Sequence, residues 1–458
     1  MPYETALAEL QSFLGDRLSR SKSDRGLHGQ NETWFADAPP DAVAYPETTE
    51  EVSRILTICS GHACPVTAWG TGTSLEGQAL PVRGGISLDM SRMNRVLAVR
   101  AEDMQAVVQP GVTREALNRE LRATGLMFTV DPGADASLGG MAATRASGTT
   151  TVRYGTMRDT VMALEVVLAD GRVIRTGSGA RKSSAGYDLT GLFVGSEGTL
   201  GIITELTLRL HGQPEAITAA TCAFDRFEAA VQTVIATIQM GIPMARIEFV
   251  DETTAAIFNA ANGTSLPRKP HLMVEFHGSE TSAAEDARRF GEVVADMGGG
   301  HFDWAATPED RNRLWRMRHG AYPACIASRP GSMGMVTDIC VPISRLAEAV
   351  AETRADIAGS GIPGPILGHV GDGNFHAILL IERDNAEELK TAKALARRMA
   401  ERALRLGGTI TGEHGVGMGK TAMMALEHGA GWDVMAAIKQ TLDPAGILNP
   451  GKIVMVNR

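Results

Sequence analysis

Three glycine-rich loops within the first 210 residues constrain the fold of this chain more than any other feature. They span residues 70–77, 131–140 and 194–201, and each mixes glycines with Ser or Thr side chains. Successive backbone N–H groups in such loops can form a concave site for an anion such as phosphate. Turn chemistry in an ordinary α/β domain would explain any one of these loops. It does not easily explain three in one segment, so together they favour a phosphate-containing ligand.

Two near-matches to nucleotide-binding fingerprints exclude the commonest phosphate-binding enzymes. The first loop reads Gly70-x-Gly72-x-x-Leu75, and the leucine occupies the third glycine position of the dinucleotide motif. The segment from Gly415 to Thr421 resembles a P-loop, but the required first glycine falls on His414. Both departures argue against a nicotinamide-dependent Rossmann enzyme and against a nucleotide hydrolase.

Bulk properties narrow the class of protein further. At 458 residues the chain is too long for one ordinary core, so two or three domains are expected. A net charge of −9 gives no electrostatic case for binding nucleic acid. The five cysteines are scattered without a zinc or iron–sulfur spacing, which favours reduced thiols in a cytoplasmic protein. We find no signal peptide and no apolar run of 18 residues; docking at a membrane surface remains open.

The periodicity of the chain changes near residues 211–215, which we interpret as a linker. The preceding part is predicted to hold a helix at 47–62, strands at 85–89, 95–100 and 105–109, a helix at 113–124 and a hairpin at 161–175. The following part is predicted to alternate, with helices at 225–240, 280–297, 308–319, 344–359 and 386–406 and strands at 245–250, 271–277 and 334–341. A hairpin is predicted at 365–381.

Two histidines in that hairpin predict a metal site. Asp372-Gly373 is a preferred two-residue turn, and this turn would place His369 directly opposite His376, with Cβ atoms roughly 5 Å apart. About forty residues later, Glu413 and His414 offer a carboxylate and a third imidazole. The alternative is that each histidine lies in a buried strand and bonds to a backbone carbonyl. For the facing pair we favour the metal.

The motifs together resemble a known family. The three glycine loops, with Ser147-Gly148 and Arg153-Tyr-Gly155, are similar to the FAD domain of the vanillyl-alcohol-oxidase type. His369…His376 and Thr411-Gly-Glu-His-Gly resemble the FAD-dependent D-2-hydroxyacid dehydrogenases, including cytochrome-type D-lactate dehydrogenases and the flavin subunit of glycolate oxidase. This resemblance implies an α+β fold with a two-lobed FAD-binding domain (1–212), an antiparallel-sheet cap domain with flanking helices (213–406) and a C-terminal segment returning to the FAD domain (407–458).

The resemblance also implies which residues bind FAD. The pyrophosphate would lie against Gly70, Thr71, Gly72, Thr73 and Ser74, helped by Ser137, Gly140 and Met141. The adenosine and ribitol would contact Pro132, Gly133, Glu197, Gly201 and Ile203, and Asn449 would return to the flavin ring. Four flanking positions and one more loop glycine complete the set: Ser147, Gly148, Tyr154, Gly155 and Gly198. These loops contain no His or Cys, so we expect non-covalent FAD.

The catalytic residues are likewise carried over from the resemblance. His369, His376 and Glu413 would bind Zn²⁺ or Mn²⁺, His414 would be the base and Arg318 would bind the substrate carboxylate. The chemistry agrees, because a neutral histidine beside a dication is suited to take a hydroxyl proton. Arg313 or Arg316 could be confused with Arg318, and Glu413 and His414 could exchange roles; His319 is expected to be structural.

Two apolar positions predict the substrate class. The 2-hydroxyglutarate branch of the family carries polar residues where this chain has Val336 and Ile378. An unpaired second carboxylate would be costly to desolvate there, so we predict D-lactate or another monocarboxylic D-2-hydroxy acid. A glycolate oxidase subunit, a D-2-hydroxyglutarate dehydrogenase and a metal-binding protein with a vestigial flavin site are the alternatives.

The sequence says little about partners beyond the substrate. Cytochrome c, a quinone and an electron-transfer flavoprotein are all candidate electron acceptors. Homodimer formation and peripheral association with the inner membrane remain open.

Overall fold

The computed structural model describes residues 3–305 and 307–454. The first part of the chain forms a four-stranded sheet in the order β1-β2-β4-β3, with β2, β4 and β3 parallel. Its elements are α1 (Glu4–Leu14), β1 (Leu18–Ser19), α2 (Lys22–Leu27), β2 (Ala42–Ala44), α3 (Thr49–Gly61), β3 (Val66–Trp69) and β4 (Ile86–Asp89). Helix α3 begins where the Thr48 side chain accepts the Glu51 amide, as its sequence predicts. Strand β3 leads directly into the first glycine loop.

A five-stranded antiparallel sheet follows, in the order β5-β6-β10-β8-β9. This part contains β5 (Val96–Arg100), β6 (Gln105–Val108), α4 (Arg114–Leu121), β7 (Leu126–Met127), α5 (Leu138–Thr144), α6 (Thr151–Tyr154), α7 (Met157–Thr160), β8 (Val161–Val167), β9 (Val173–Gly177), α8 (Leu189–Phe193), β10 (Ile202–Arg209) and β11 (His211–Gly212). The second glycine loop precedes α5, and the third lies between α8 and β10. Both loops are therefore fixed at their ends by regular structure.

The next part is dominated by an eight-stranded sheet in the order β15-β12-β14-β13-β18-β19-β16, with β17 also paired to β19. Its elements are β12 (Ala216–Phe224), α9 (Phe227–Gln239), β13 (Met244–Val250), α10 (Glu252–Asn262), β14 (His271–Gly278), α11 (Glu280–Asp296), β15 (Gly299–Trp304), α12 (Pro308–His319), α13 (Ala321–Ser328), β16 (Ser332–Val336), β17 (Ile339–Cys340), α14 (Leu346–Ser360), β18 (Ile366–Gly368), β19 (Asn374–Glu382) and α15 (Ala386–Arg405). All the pairings in this sheet are antiparallel, as expected.

Helix α11 illustrates why helices cover this sheet. Ser279 caps its first turn, and Ala283, Ala287 and Phe290 recur at helical spacing along its buried face. The Phe290 ring lies 5.6 Å from the ring of Phe276 on β14. Burying a side chain of this size contributes roughly 1.5–3 kcal/mol, so the apolar face holds the helix on the sheet.

The C-terminal segment returns to the four-stranded sheet. Helices α16 (Met424–His428) and α17 (Gly431–Leu442) precede it, and Leu448 then pairs in parallel with Val66 on β3. The buried Lys439 ammonium donates to the carbonyls of Thr199 and Leu448 and to the Asp443 carboxylate. These bonds tie the end of the chain to the third glycine loop. No helix among the described residues is long and apolar enough to cross a bilayer.

The structure corrects several predicted elements. Strand β11 occupies His211 and Gly212, which we took for part of a linker, and strand β12 and the helices α10 and α13 were not anticipated. The single strand predicted at 334–341 is two strands, β16 and β17, because the chain leaves the sheet at Thr337 and Asp338. The reason for that break lies in the site that Asp338 supports.

Candidate active site

A cavity of about 410 Å³ lies between the glycine loops and one edge region of the eight-stranded sheet. The loops form one wall of the cavity. Side chains from α12, β18, β19 and the loop at 411–417, which we call the C-terminal loop, form the opposite wall. The two sets of residues that the sequence singled out separately therefore meet at one place.

Close approach explains the glycines in the first wall. A Cβ atom on Gly70 would lie 2.3 Å from the Ser137 hydroxyl, so the first and second loops touch at this point. Gly72 has φ of +72°, a left-handed conformation that favours glycine, and a Cβ there would crowd the Trp69 ring. The result is a wall that presents backbone amides and small hydroxyls to the cavity, the donor chemistry that suits a pyrophosphate. The residues present therefore fit FAD.

The predicted FAD residues fall into two groups. Seventeen of them line the cavity: Gly70, Thr71, Gly72, Thr73, Ser74, Pro132, Gly133, Ser137, Gly140, Met141, Ser147, Gly148, Glu197, Gly198, Gly201, Ile203 and Asn449. Tyr154 and Gly155 do not. The Tyr154 hydroxyl bonds to His277 Nδ1 at 2.7 Å, and Gly155 ends α6 with φ of +80°. The Tyr154 side chain therefore lies against β14, and both residues lie outside the lining of the cavity.

Three residues of the lining have side chains engaged elsewhere. Asn449 donates its amide to the carbonyls of Gln78 and Glu197. The Ser147 hydroxyl donates to Glu413 Oε2 at 2.5 Å, and the Glu197 carboxylate binds the C-terminal loop. Their side chains join the two walls of the cavity or the loops within one wall.

The three predicted metal ligands converge on one point. Glu413 Oε1 lies 3.0 Å from His369 Nε2 and 3.2 Å from His376 Nε2. The ligand atoms of the three residues all lie within 4.8 Å of one another. Two imidazole nitrogens and a carboxylate oxygen are a donor set that accommodates Zn²⁺ or Mn²⁺. The residues present therefore fit a divalent cation.

The hairpin carrying the histidines differs from the prediction in register. Leu367, not His369, is the partner of His376, because four residues from Val370 to Gly373 form the turn instead of two. This shifts the pairing by two residues. A shift of two keeps each side chain on its original face, whereas a shift of one would have separated them. The two rings consequently still meet, in an edge-to-face arrangement with centroids 5.5 Å apart.

A buried carboxylate that the sequence did not reveal, Glu248, orients His369 and Arg318. Glu248, fully buried on β13, accepts a hydrogen bond from His369 Nδ1 at 2.7 Å, which leaves Nε2 free to bind a metal. Its other oxygen lies 2.6 Å from the Arg318 guanidinium. Burial alone would lower the pKa of His369, but Glu248 and Glu413 outweigh it and raise that pKa well above its usual value. Only its even spacing with Arg246 on an otherwise apolar strand could have hinted at Glu248.

Arg318 is the buried arginine of α12 and lines the cavity. Arg313 pairs with Asp310 at the surface, and Arg316 is exposed. Among the described residues, Arg318 Nε has no hydrogen-bond partner, and Arg318 Nη2 lies 2.6 Å from Glu248 Oε2 without an aligned N–H. A buried cation beside the cavity with a donor left unpaired is suited to hold a carboxylate.

A second unanticipated carboxylate fixes the C-terminal loop. Asp338, buried at the break between β16 and β17, accepts the backbone amides of Glu413 and His414 at 3.0 and 2.8 Å. It also accepts the Thr411 hydroxyl and the Asn374 side-chain amide. Burial would raise the pKa of Asp338, but His414, Lys420 and His376 more than compensate and lower it. The strand therefore breaks where this carboxylate turns to the loop.

His414 lies beside the three predicted metal ligands, but farther from Glu413 than the two ligand histidines are. Its ring stacks on His376 with centroids 4.8 Å apart, and its Nε2 lies 3.8 Å from Glu413 Oε1. Burial lowers the pKa of His414 to about 4. The imidazole is therefore neutral at pH 7, the state that accepts a proton.

The two apolar positions that bear on substrate choice are cross-strand partners. Val336 on β16 pairs with Ile378 on β19, and both line the cavity together with Leu367. The cavity therefore ends in an aliphatic surface next to His376.

Known proteins resemble this chain along nearly its whole length. Residues 40–177 match the FAD binding domain family, and residues 213–453 match the C-terminal domain of FAD linked oxidases. A probable mitochondrial D-lactate dehydrogenase of Danio rerio is 46% identical over 98% of this chain and 92% of its own length. A mitochondrial cytochrome-type D-lactate dehydrogenase of Arabidopsis thaliana is 43% identical over 98% of this chain and 80% of its own length. In structure, the chain is similar to 4-ethylphenol oxidase from Gulosibacter chungangensis, with a TM-score of 0.82, 21% identity and coverage of 99% of this chain and 97% of that one.

Proposed function

Because this chain belongs to the FAD-linked oxidases, and within them to the FAD-dependent D-2-hydroxyacid dehydrogenases, we propose that its substrate is D-lactate or another small monocarboxylic D-2-hydroxy acid. The predicted fold, an α+β architecture of the vanillyl-alcohol-oxidase type, is confirmed. So is the reaction class, the FAD-linked oxidation of D-2-hydroxy acids. The substrate, the metal and the role of each residue form the proposal.

One observation carries this proposal. His369, His376, Glu413, His414 and Arg318 gather on one wall of the cavity whose other wall consists of the glycine loops. When bound, FAD supplies the hydride acceptor and a divalent cation supplies the Lewis acid that lowers the cost of an alkoxide. His369, His376 and Glu413 would hold the cation, and the residues of the glycine loops that line the cavity would hold FAD.

The side chains of this chain perform the remaining tasks. Arg318 holds the substrate carboxylate, with Glu248 fixing its Nη2 and its Nε left without a hydrogen-bond partner among the described residues. His414 Nε2 takes the hydroxyl proton, because its lowered pKa keeps the ring neutral. The hydrogen on Cα leaves as hydride, and the product is the 2-keto acid. Glu248 contacts both His369 and Arg318 and so fixes the position of one side chain relative to the other.

The aliphatic surface supports a monocarboxylic substrate. Val336 and Ile378 offer no donor to a second carboxylate, and leaving such a group unpaired in this place would cost several kcal/mol. A methyl or other short aliphatic tail would instead gain from burial. This argument favours D-lactate over D-2-hydroxyglutarate.

Anaerobic mixing of the FAD-loaded protein with single acids tests the proposal. We expect D-lactate to bleach the flavin absorbance quickly, and L-lactate and D-2-hydroxyglutarate to leave it unchanged on the same timescale. Glycolate, which lacks the methyl group, should reduce the flavin more slowly than D-lactate. Reduction by L-lactate, or the absence of reduction by any D-acid, would contradict the proposal. Faster reduction by glycolate would assign the chain to the glycolate-oxidising branch.

We propose a cytochrome as the electron acceptor, on the strength of the name of the 43% identical relative. Mixing the reduced protein with cytochrome c, a soluble quinone and an electron-transfer flavoprotein separates the three candidates by the rate of flavin reoxidation. Rapid reoxidation by either of the other two alone would overturn the choice. A cytoplasmic or membrane-associated location, and dimer formation, stay predictions for this chain.

A further inference from the structure

The C-terminal loop is held from two sides by two buried carboxylates. Asp338 accepts the amides of Glu413 and His414, as described above. Glu197, from the third glycine loop, accepts the next pair of available amides, those of Val416 and Gly417, at 2.7 and 2.9 Å. One carboxylate belongs to the sheet that carries the histidines, and the other belongs to the wall formed by the glycine loops.

The sequence around Glu197 and its partner loop is shaped for this contact. Gly415 has φ of +79°, and a Cβ atom there would lie 2.4 Å from Glu197 Oε1. The Gly-Val-Gly sequence therefore lets the backbone close around the carboxylate. This contact accounts for Gly415, one of the glycines that resembled a P-loop in the sequence.

Glu197 lines the cavity as part of the third glycine loop, and its carboxylate bonds to the C-terminal loop. Its amide donates to the Ala143 carbonyl, and its own carbonyl accepts the Asn449 side chain. The neighbouring Gln78 repeats this arrangement. Its backbone carbonyl also accepts Asn449, and its side-chain amide donates to the His414 carbonyl at 2.7 Å. Two adjacent wall residues thus reach the same loop.

Among the described residues, the Glu197 carboxylate bonds to the Val416 and Gly417 amides and forms no ion pair. Burial raises its pKa to about 7, although the Val416 and Gly417 amides and Gln78 oppose that rise, and the nearby Glu76 adds to it. Lys420, three residues beyond the C-terminal loop, and Lys452 face it at longer range. Burying a carboxylate without a direct ion pair lowers the stability of the fold. The bonds from Glu197 to the C-terminal loop give this buried carboxylate a role in positioning that loop.

We propose that Glu197 is a positioning residue that sets the His414 loop at a fixed place relative to the FAD-binding wall. The base and the hydride acceptor must be held in one geometry although they are carried by different parts of the chain, and a misplacement of about 1 Å can cost on the order of 10²-fold in rate. This inference rests on the proposed role of His414. It gives the Glu197 side chain a role beyond the contact with the adenosine and ribitol of FAD that the family resemblance implies for this residue.

The Glu197→Gln variant tests this inference because it preserves volume. The amide oxygen can accept one backbone N–H, but the amide nitrogen then faces the other N–H, and two donors oppose each other. We expect hydrogen exchange at the Val416 and Gly417 amides to become faster in the FAD-free and FAD-loaded protein alike. We expect flavin reduction by saturating D-lactate to slow by about 10-fold to 10²-fold, with unchanged FAD content and little change in the D-lactate concentration giving half the maximal rate.

Two further variants make the outcome decisive. Asp251→Asn is the matched control, because Asp251 is another buried carboxylate with a raised pKa, bonded to Thr254 and outside the cavity; it should leave the reduction rate unchanged. Gln78→Ala releases the His414 carbonyl from the same wall and should slow reduction in the same way, which keeps the test available if Glu197→Gln does not fold.

Two outcomes would overturn the inference. Lost FAD with a normal rate per bound flavin in Glu197→Gln would make Glu197 a cofactor ligand. Unchanged hydrogen exchange at the Val416 and Gly417 amides together with an unchanged rate of flavin reduction would also overturn it. If the unmodified protein is not reduced by D-lactate at all, the proposed function fails instead.

Discussion

The two walls of the cavity are built on opposite principles. Of the seventeen predicted FAD residues that line it, only Glu197 is ionisable, and its carboxylate bonds to the Val416 and Gly417 amides. On the other wall, all five predicted residues are ionisable, and Glu248 and Asp338 add two buried carboxylates behind them. The first wall is specified by shape and backbone amides, and the second by charge. Changes in the first wall should therefore alter FAD occupancy, and changes in the second should alter the reaction rate.

The strongest test of this division is His414→Asn. Asparagine keeps a polar group at the position but cannot accept the hydroxyl proton, so we expect flavin reduction by D-lactate to slow by about 10² to 10⁴. FAD content and the oxidised flavin spectrum should not change, because His414 belongs to the second wall. Stopped-flow absorbance under anaerobic conditions measures both quantities.

His271→Asn is the matched control for this variant. His271 is also buried and also has a ring nitrogen without a partner, but it does not line the cavity. It should retain the normal rate. Near-normal turnover in His414→Asn would show that another group is the base.

Metal removal should produce the next largest effect. A Lewis acid at a developing alkoxide is worth several kcal/mol, so chelation should slow flavin reduction on the order of 10²-fold or more while FAD stays bound. Adding back Zn²⁺ or Mn²⁺ should restore the rate, and the more effective ion indicates the native metal. An unchanged rate in a protein shown by elemental analysis to be metal-free would remove the metal from the mechanism.

Glu248→Gln should have an intermediate effect that no first-wall variant reproduces. Loss of the carboxylate behind His369 Nδ1 should weaken metal binding by about 10- to 100-fold, as outer-shell partners of metal ligands typically do. Because the same carboxylate contacts Arg318, the D-lactate concentration for half-maximal reduction should rise as well. Isothermal titration with Zn²⁺ and the substrate dependence of reduction measure the two effects.

The comparison for that variant is Glu165→Gln, which changes a buried carboxylate held by Arg175 on the five-stranded sheet. It should affect neither quantity. If metal affinity were the same in Glu248→Gln as in the unmodified protein, Glu248 would be a structural residue only.

The same division explains what the sequence could and could not predict. Glycine loops can be recognised from the local sequence, because close approach of two backbone segments or a positive φ requires glycine at particular positions, as at Gly70 and Gly72. The ligand histidines were found for a partly wrong reason: the turn is longer than the Asp372-Gly373 pair predicted, and the pairing kept the rings together only because it shifted by an even number.

Residues that act through other residues left no local signal. Glu248 is 121 positions from His369, and Asp338 is 75 positions from Glu413, so only the folded sheet brings these pairs together. Tyr154 is the opposite case, a residue with a local signal that lies outside the cavity lining. It stands beside a motif of the FAD domain in sequence, but helix α6 turns it toward His277.

The smallest predicted effect tests the first wall by itself. In Gly72→Ala, the alanine backbone must adopt φ of +72°, and its methyl group would approach the Trp69 ring to 3.0 Å. The loop must therefore shift, or be strained by roughly 1 kcal/mol or more. FAD should bind about 5- to 10-fold more weakly, because 1.4 kcal/mol corresponds to a factor of ten, while each bound flavin is reduced at the normal rate. Gly186→Ala is the matched control, since Gly186 has φ of +85° with nothing within 4 Å of its Cβ position and lies outside the cavity. It carries the same kind of backbone strain and should not change FAD affinity. If Gly72→Ala instead slowed reduction per bound flavin, the two walls would be coupled through more than the Glu197 and Gln78 contacts, and the division between shape and charge would have to be abandoned.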